Sequence, residues 1–180
     1  MKILIIDNND SFTANLEHLL AVTTRSEPEV VPYANLADSR PAAYDLSVIS
    51  PGPGWPSDYP GYAPLLDSGT PVLGICLGMQ IINEHFGGDT STLPGCVHGR
   101  TDRVVLDGRA FVVARYHSLH LSRVASSLEV IAANPDGVAM AVKHRSRPLL
   151  GYQFHPESFL TGDGGCLIDY ACRVLDLGQA

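Results

Sequence analysis

The stretch Val72-Leu73-Gly74-Ile75-Cys76-Leu77-Gly78-Met79-Gln80-Ile81-Ile82 decides how this chain folds. Its first four residues form a short apolar run, the pattern of a strand covered on both faces. Beyond it Met79, Ile82 and Phe86 recur on one helical face, and Gly87-Gly88 ends the pattern. Only a tight turn, flanked by Gly74 and Gly78, separates strand from helix. A strand that feeds straight into a helix is the first half of a βαβ unit.

The same alternation extends in both directions. Short apolar runs stand at 3–6 (ILII), 46–49 (LSVI), 111–115 (FVVAR), 128–132 (LEVIA), 138–142 (VAMAV) and 149–154 (LLGYQF). Between the first runs Ser11 is a candidate N-cap, followed by Phe12, Leu16, Leu19 and Leu20 at helical spacing. Leu167, Tyr170, Val174 and Leu177 predict a final helix. This predicts an α/β fold with a mixed, mainly parallel sheet, helices on both faces and a late antiparallel portion between 104 and 154. No repeat, charge block or low-complexity linker interrupts the chain, so residues 1–180 are read as one domain.

Composition narrows the function classes. The chain has 180 residues, 45% hydrophobic and 17% charged, and a formal charge of −7. That balance disfavours nucleic acid or an anionic membrane as partner, since both need clustered Lys and Arg. The short Lys143-His144-Arg145 patch reads as a solvated strand end or turn. The N-terminal run 3–6 is too short for a signal-peptide core, and no segment is long enough to span a bilayer, so a cytoplasmic location is expected. Four cysteines (76, 96, 166 and 172) show no zinc spacing. No metal and no cofactor is expected, and Cys166 and Cys172 read as small core residues.

Three segments carry chemistry. Gly74-Ile75-Cys76-Leu77-Gly78 has the form of a nucleophile elbow with sulfur in place of the serine oxygen. A helix N-terminus there favours the thiolate, and the N–H after the nucleophile is placed to stabilise an oxyanion. Taken alone, the pattern also fits a buried cysteine at a glycine-flanked bend. Gln153-Phe154-His155-Pro156-Glu157-Ser158 offers a base and its orienter at a strand end, with Glu157 expected near solvent. Ser50-Pro51-Gly52-Pro53-Gly54 offers a stiff loop whose backbone approaches a ligand closely. It opens segment 51–64, whose five prolines exclude regular helix or central strand. Each segment has an ordinary structural reading; three together, each at a predicted strand end, fit one reaction site.

With DNNDSFTANL at 7–16, SPGPGWP at 50–56, GICLGMQ at 74–80, RYHSL at 115–119 and QFHPES at 153–158, the chain resembles the class I glutamine amidotransferases. Within them it is most similar to the glutaminase subunits of chorismate-using synthases, those forming anthranilate or aminodeoxychorismate. The resemblance implies a flavodoxin-like open sheet and a γ-glutamyl thioester on Cys76, assisted by His155 and Glu157. It implies oxyanion N–H groups from Gly54 and Leu77, and a pocket for L-glutamine from Gly52, Gln80, Ser118 and Leu119. No chemistry is assigned to Tyr116 or His117 beside that pocket. It also implies hetero-oligomer formation with a separate chorismate-binding synthase subunit, with Asn8–Thr13, Trp55–Tyr59 and the region around His98–Arg100 as candidate contacts. The alternatives are service to another acceptor, a catalytically silent regulatory role, or hydrolysis of γ-glutamyl peptides.

Overall fold

The computed structural model describes residues 1–95 and 99–178; Cys96 and the candidate contact His98 lie outside the described residues. In chain order the first half contains β1 (Ile3–Asp7), α1 (Thr13–Thr24), β2 (Glu29–Pro32), β3 (Leu46–Ile49), α2 (Ala63–Leu66), β4 (Val72–Ile75) and α3 (Leu77–His85). The second half contains β5 (Asp89–Thr92), β6 (Arg100–Leu106), β7 (Arg109–Arg115), β8 (Leu119–Arg123), β9 (Leu128–Ala133), β10 (Ala139–His144), β11 (Leu149–Tyr152) and α4 (Gly164–Val174). Seven of these strands form one sheet in the order β2-β1-β3-β4-β11-β10-β9. The first five run parallel, and β10 and β9 add an antiparallel edge. β5 with β8 and β6 with β7 make two smaller antiparallel pairs.

The near-continuous apolar strands follow from cover on both faces. Ile3 and Ile5 of β1 point to the side of α1 and α4, among Leu16, Leu20, Leu167 and Ile168. Leu4 and Ile6 point the other way, to the side of α2 and α3, among Leu65, Leu66, Leu77 and Ile82. Each fully buried side chain of this size contributes about 1.5–3 kcal/mol relative to exposure. A charge at any of the four β1 positions would therefore break the fold from within.

Ser11 is not the cap of α1. The helix begins at Thr13 with Phe12 in the cap position. Asp10 accepts the Phe12 N–H at 2.8 Å, and the Thr13 hydroxyl donates to Asp7 Oδ1 at 2.7 Å. The loop is thus pinned back onto the end of β1 by carboxylates, which leaves Ser11 exposed.

One register matters most for the site. β4 and β11 are parallel neighbours with Ile75 opposite Tyr152, and the Cys76 N–H donates to the Tyr152 carbonyl at 2.7 Å. The residues that follow, Cys76 on one strand and Gln153 to His155 on the other, therefore leave the sheet side by side. β3 lies on the far side of β4 and delivers Ser50 to Gly54 to the same edge.

Candidate active site

Cys76 sits between β4 and α3 with φ +52° and ψ −102°. A non-glycine residue in that region carries on the order of 1–3 kcal/mol of backbone strain, held in place by its surroundings. The constraint is visible at Gly78, where an added Cβ would collide with the Ile49 carbonyl oxygen. α3 can start immediately after the strand only because its first turn lies against β3 without a side chain between them. The sulfur is thereby lifted to the floor of a cleft, and Leu77 opens the helix, where a backbone N–H lacks a partner one turn back.

His155 follows β11 and is fixed by two contacts. Its N–H donates to the Ala114 carbonyl at 3.1 Å, and ring Nδ1 bonds Glu157 Oε1 at 2.7 Å. The expectation that Glu157 lies near solvent is overturned: its side chain is 0% exposed. Pro156 turns the chain so that the carboxylate folds under the imidazole instead of out to water. Burial works against charging His155, but negative charge on the Cys76 sulfur and the Glu157 carboxylate outweighs it and holds the imidazole well above its usual range. Ring Nε2, buried on the side of the ring away from Glu157, is the nitrogen left to exchange a proton with the Cys76 sulfur.

A cleft of about 430 Å³ gathers the remaining candidates. Gly52, Gly54, Cys76, Leu77, Gln80, Ser118, Leu119 and His155 all line it, with Glu157 behind His155. Gly52 has no space for a side chain, since a Cβ would lie 2.7 Å from both Asn8 Cβ and Leu77 Cδ2. Asn8 holds this loop: its N–H and side-chain amide bond Ser50 at 2.9 and 3.0 Å, and Tyr62 donates to its Oδ1 at 2.6 Å. Tyr59 donates to the Pro53 carbonyl at 2.9 Å. The rim is aromatic, with Phe12 and Tyr116 ring centroids 5.4 and 5.2 Å from His155.

The structure adds residues to which the sequence assigned no role. His117 is buried in the wall of the cleft. Arg115 Nε donates to its Nε2 at 3.0 Å, and its Nδ1 bonds the Leu119 carbonyl at 2.8 Å. Arg115 in turn donates to Asp102 at 2.7 Å. Burial drives the imidazole pKa down to about 4, with the Arg115 charge acting in the same direction. Gln153, next to the nucleophile, is fully buried and donates to the sulfur at 3.6 Å. RYHSL and QFHPES contain both residues, but sequence alone does not show that they join.

A cysteine elbow and an imidazole backed by a buried carboxylate, meeting at one cleft, are an arrangement able to carry acyl transfer. The profile for "Glutamine amidotransferase class-I" matches residues 4–171. Anthranilate synthase of Azospirillum brasilense is 41% identical over 97% of this chain and 26% of its own length. Aminodeoxychorismate synthase of Streptomyces griseus is 42% identical over 93% and 25%. The chain thus spans about a quarter of the length of these two relatives. Anthranilate synthase component 2 of Halobacterium salinarum is 38% identical over 91% of this chain and 93% of its own. Among solved structures, a Thermoplasma acidophilum protein assigned to GMP synthase superposes with a TM-score of 0.81 at 21% identity, covering 98% and 94% of the two chains. That likeness concerns the fold.

Proposed function

Because the chain belongs to the class I glutamine amidotransferase family, we propose that it hydrolyses L-glutamine at Cys76 and delivers the ammonia to a separate chorismate-binding synthase subunit. The observation that carries this reading is the strained Cys76 elbow facing a histidine whose carboxylate partner is buried. Cys76 passes its proton to His155 as the sulfur attacks the γ-carboxamide carbon, and the developing oxyanion is met by the N–H groups of Leu77 and Gly54. His155 gives its proton to the departing nitrogen, so ammonia leaves and a γ-glutamyl thioester remains. Water then adds to the thioester, with His155 accepting its proton, and glutamate and the free thiol are restored. Glu157 holds the ring in the tautomer that both steps need. Gly52, Gln80, Ser118 and Leu119 hold the amino-acid end of glutamine in the cleft. Residues 1–180 act as one glutaminase domain in this scheme, in a cytoplasm reducing enough to keep Cys76 a thiol.

The names of the relatives support anthranilate or aminodeoxychorismate synthesis as the destination of the ammonia. A pull-down with the tagged chain, followed by a glutamine-dependent assay with chorismate, tests this. The expected result is a chorismate-binding partner and an aminated product. A partner that aminates a different acceptor removes the chorismate assignment and leaves the glutaminase intact. Cys76→Ala is expected to abolish hydrolysis with the fold unchanged, and a glutamine-derived electrophile should label the wild type at Cys76. Labelling at Cys96 in place of Cys76 would remove the nucleophile assignment.

A further inference from the structure

A single chain of hydrogen bonds runs through the wall of the cleft and ends on the reacting sulfur, and its chemistry fixes the direction of every bond. Arg115 can only donate, so its Nε–H at 3.0 Å makes His117 Nε2 an acceptor. In a neutral imidazole the proton then sits on Nδ1, which donates to the Leu119 carbonyl at 2.8 Å. The Leu119 carbonyl also receives Gln80 Nε2, at 3.4 Å. That turns the amide nitrogen of Gln80 inward, where it donates a second time, to Gln153 Oε1 at 3.1 Å. With its oxygen committed to Gln80, Gln153 presents its amide nitrogen to Cys76 Sγ at 3.6 Å. The opposite orientation would set donor against donor at Gln80 and oxygen against sulfur at Cys76. Gln80, His117 and Gln153 are 2%, 3% and 0% exposed, so water does not compete along this path.

We propose that Gln153 is a further catalytic residue of this site, an oriented N–H donor to the Cys76 sulfur that stabilises the thiolate opposite His155. This rests on the reading of Cys76 as the glutaminase nucleophile. A hydrogen bond to a charged form favours that form, so the Gln153 N–H favours the thiolate as the sulfur gives up its proton. It does the same for the thiolate that departs when water resolves the thioester. The role needs no movement, because the parallel register of β4 and β11 already sets Gln153 beside Cys76. The arrangement also ties the sulfur to Gln80, so the side chain proposed to hold the substrate orients the donor that activates the nucleophile. Titratable groups facing the cleft are His155 with Glu157 behind it, His117 and Tyr116 between β7 and β8, and Asp10 between β1 and α1.

The test is the pH profile of Cys76 alkylation by iodoacetamide, read at the Cys76 peptide, alongside glutaminase kinetics. Gln153→Met keeps the length and removes the donor. Its alkylation midpoint is expected to rise by about one pH unit, the effect of losing one hydrogen bond to a thiolate. kcat should fall about tenfold; Gln153→Met also removes the acceptor of Gln80, so the KM for glutamine should rise with it, and the alkylation midpoint is the reading that isolates the donor to the sulfur. Gln153→Asn keeps an amide in the same site but draws it back by one methylene, and should give the same upward shift. An unchanged midpoint in the folded variants overturns the proposal, even where kcat falls, because a structural role lowers kcat without moving the thiol. A wild type that neither hydrolyses glutamine nor alkylates at Cys76 instead overturns the glutaminase reading on which the proposal stands.

Discussion

Glu157 illustrates what one side chain contributes once its surroundings are known. A carboxylate 2.7 Å from Nδ1 and fully buried is not screened by water, so its charge acts on the imidazolium at nearly full strength. Glu157→Gln keeps the shape but replaces an acceptor with a group that can donate, which permits the wrong tautomer of His155. In a serine-protease triad a change of this kind costs about 10⁴-fold in kcat. The burial puts the expected loss here at about 10³-fold or more, with the KM for glutamine within a few-fold. Steady-state kinetics of the folded variant decide it. A kcat within tenfold of wild type would reduce the triad to a Cys-His pair. Cys76 itself shows why residue identity and backbone act together: the strained φ that turns the buried residue toward the cleft is one a β-substituted residue adopts only under constraint.

The elements bring these residues into reach, and one of them carries a pH signature. β7 ends at Arg115 and β8 begins at Leu119, so His117 lies in a short connection gripped at both ends. Its folded pKa of about 4 lies below the ordinary value of 6.5. Between those values the unfolded chain binds the proton and the folded chain does not, so stability falls as pH drops through this window. Above pH 6.5 the contribution is fully present; by about pH 4 it has been lost, an amount on the order of 3 kcal/mol. His117→Asn should therefore be less stable at neutral pH, and lose less on acidification, than the wild type. Urea midpoints at neutral, mildly acidic and more acidic pH measure this, and parallel slopes in both proteins would count against it. The elements also set the limits of sequence reading. β1, β3, β4 and β11 announce themselves because burial on both faces makes them wholly apolar. β5 reads Asp-Thr-Ser-Thr and β8 reads Leu-His-Leu-Ser-Arg, half-exposed strands whose pairing partner, not their composition, makes them strands. For the same reason the elbow and His155 were legible locally. The burial of Glu157 and the path from Asp102 to the sulfur depend on residues separated by many positions, brought together only by the register of β11 on β4 and by the β6–β7 pair.

For the whole molecule, the proposed function sets a problem that the cleft alone does not solve. Ammonia released at Cys76 is useful only if it reaches an acceptor before it escapes or is protonated, and an isolated glutaminase running at full speed would waste glutamine. The expected behaviour is slow hydrolysis by the chain alone and marked stimulation by the synthase subunit, most strongly with its acceptor bound. The surface suits such control. Exposed Asn9 and Ser11 and the exposed run Pro53 to Trp55 stand at the rim of the cleft, while Asn8 is buried and holds the two loops together from below. Asn8 therefore leaves the set of candidate contacts and becomes the link between them. A partner pressing on Trp55, which is 40% exposed, acts on the backbone next to Gly54, whose N–H is proposed to meet the oxyanion. Stimulation then amounts to a shift between idle and competent positions of this loop, and can be no larger than the partner's preference for the competent one. Trp55→Ala should lower the stimulated rate more than the basal rate, since it removes the handle and leaves the site. Cys76→Ala in the reconstituted pair should still form product from added ammonium salt, because only the nitrogen source is lost. Measuring glutaminase activity with and without the partner, and synthesis from either nitrogen source, separates these expectations. Full activity in the isolated chain, or loss of ammonia-driven synthesis in a Cys76→Ala complex that still assembles, would each break the link between cleft and partner.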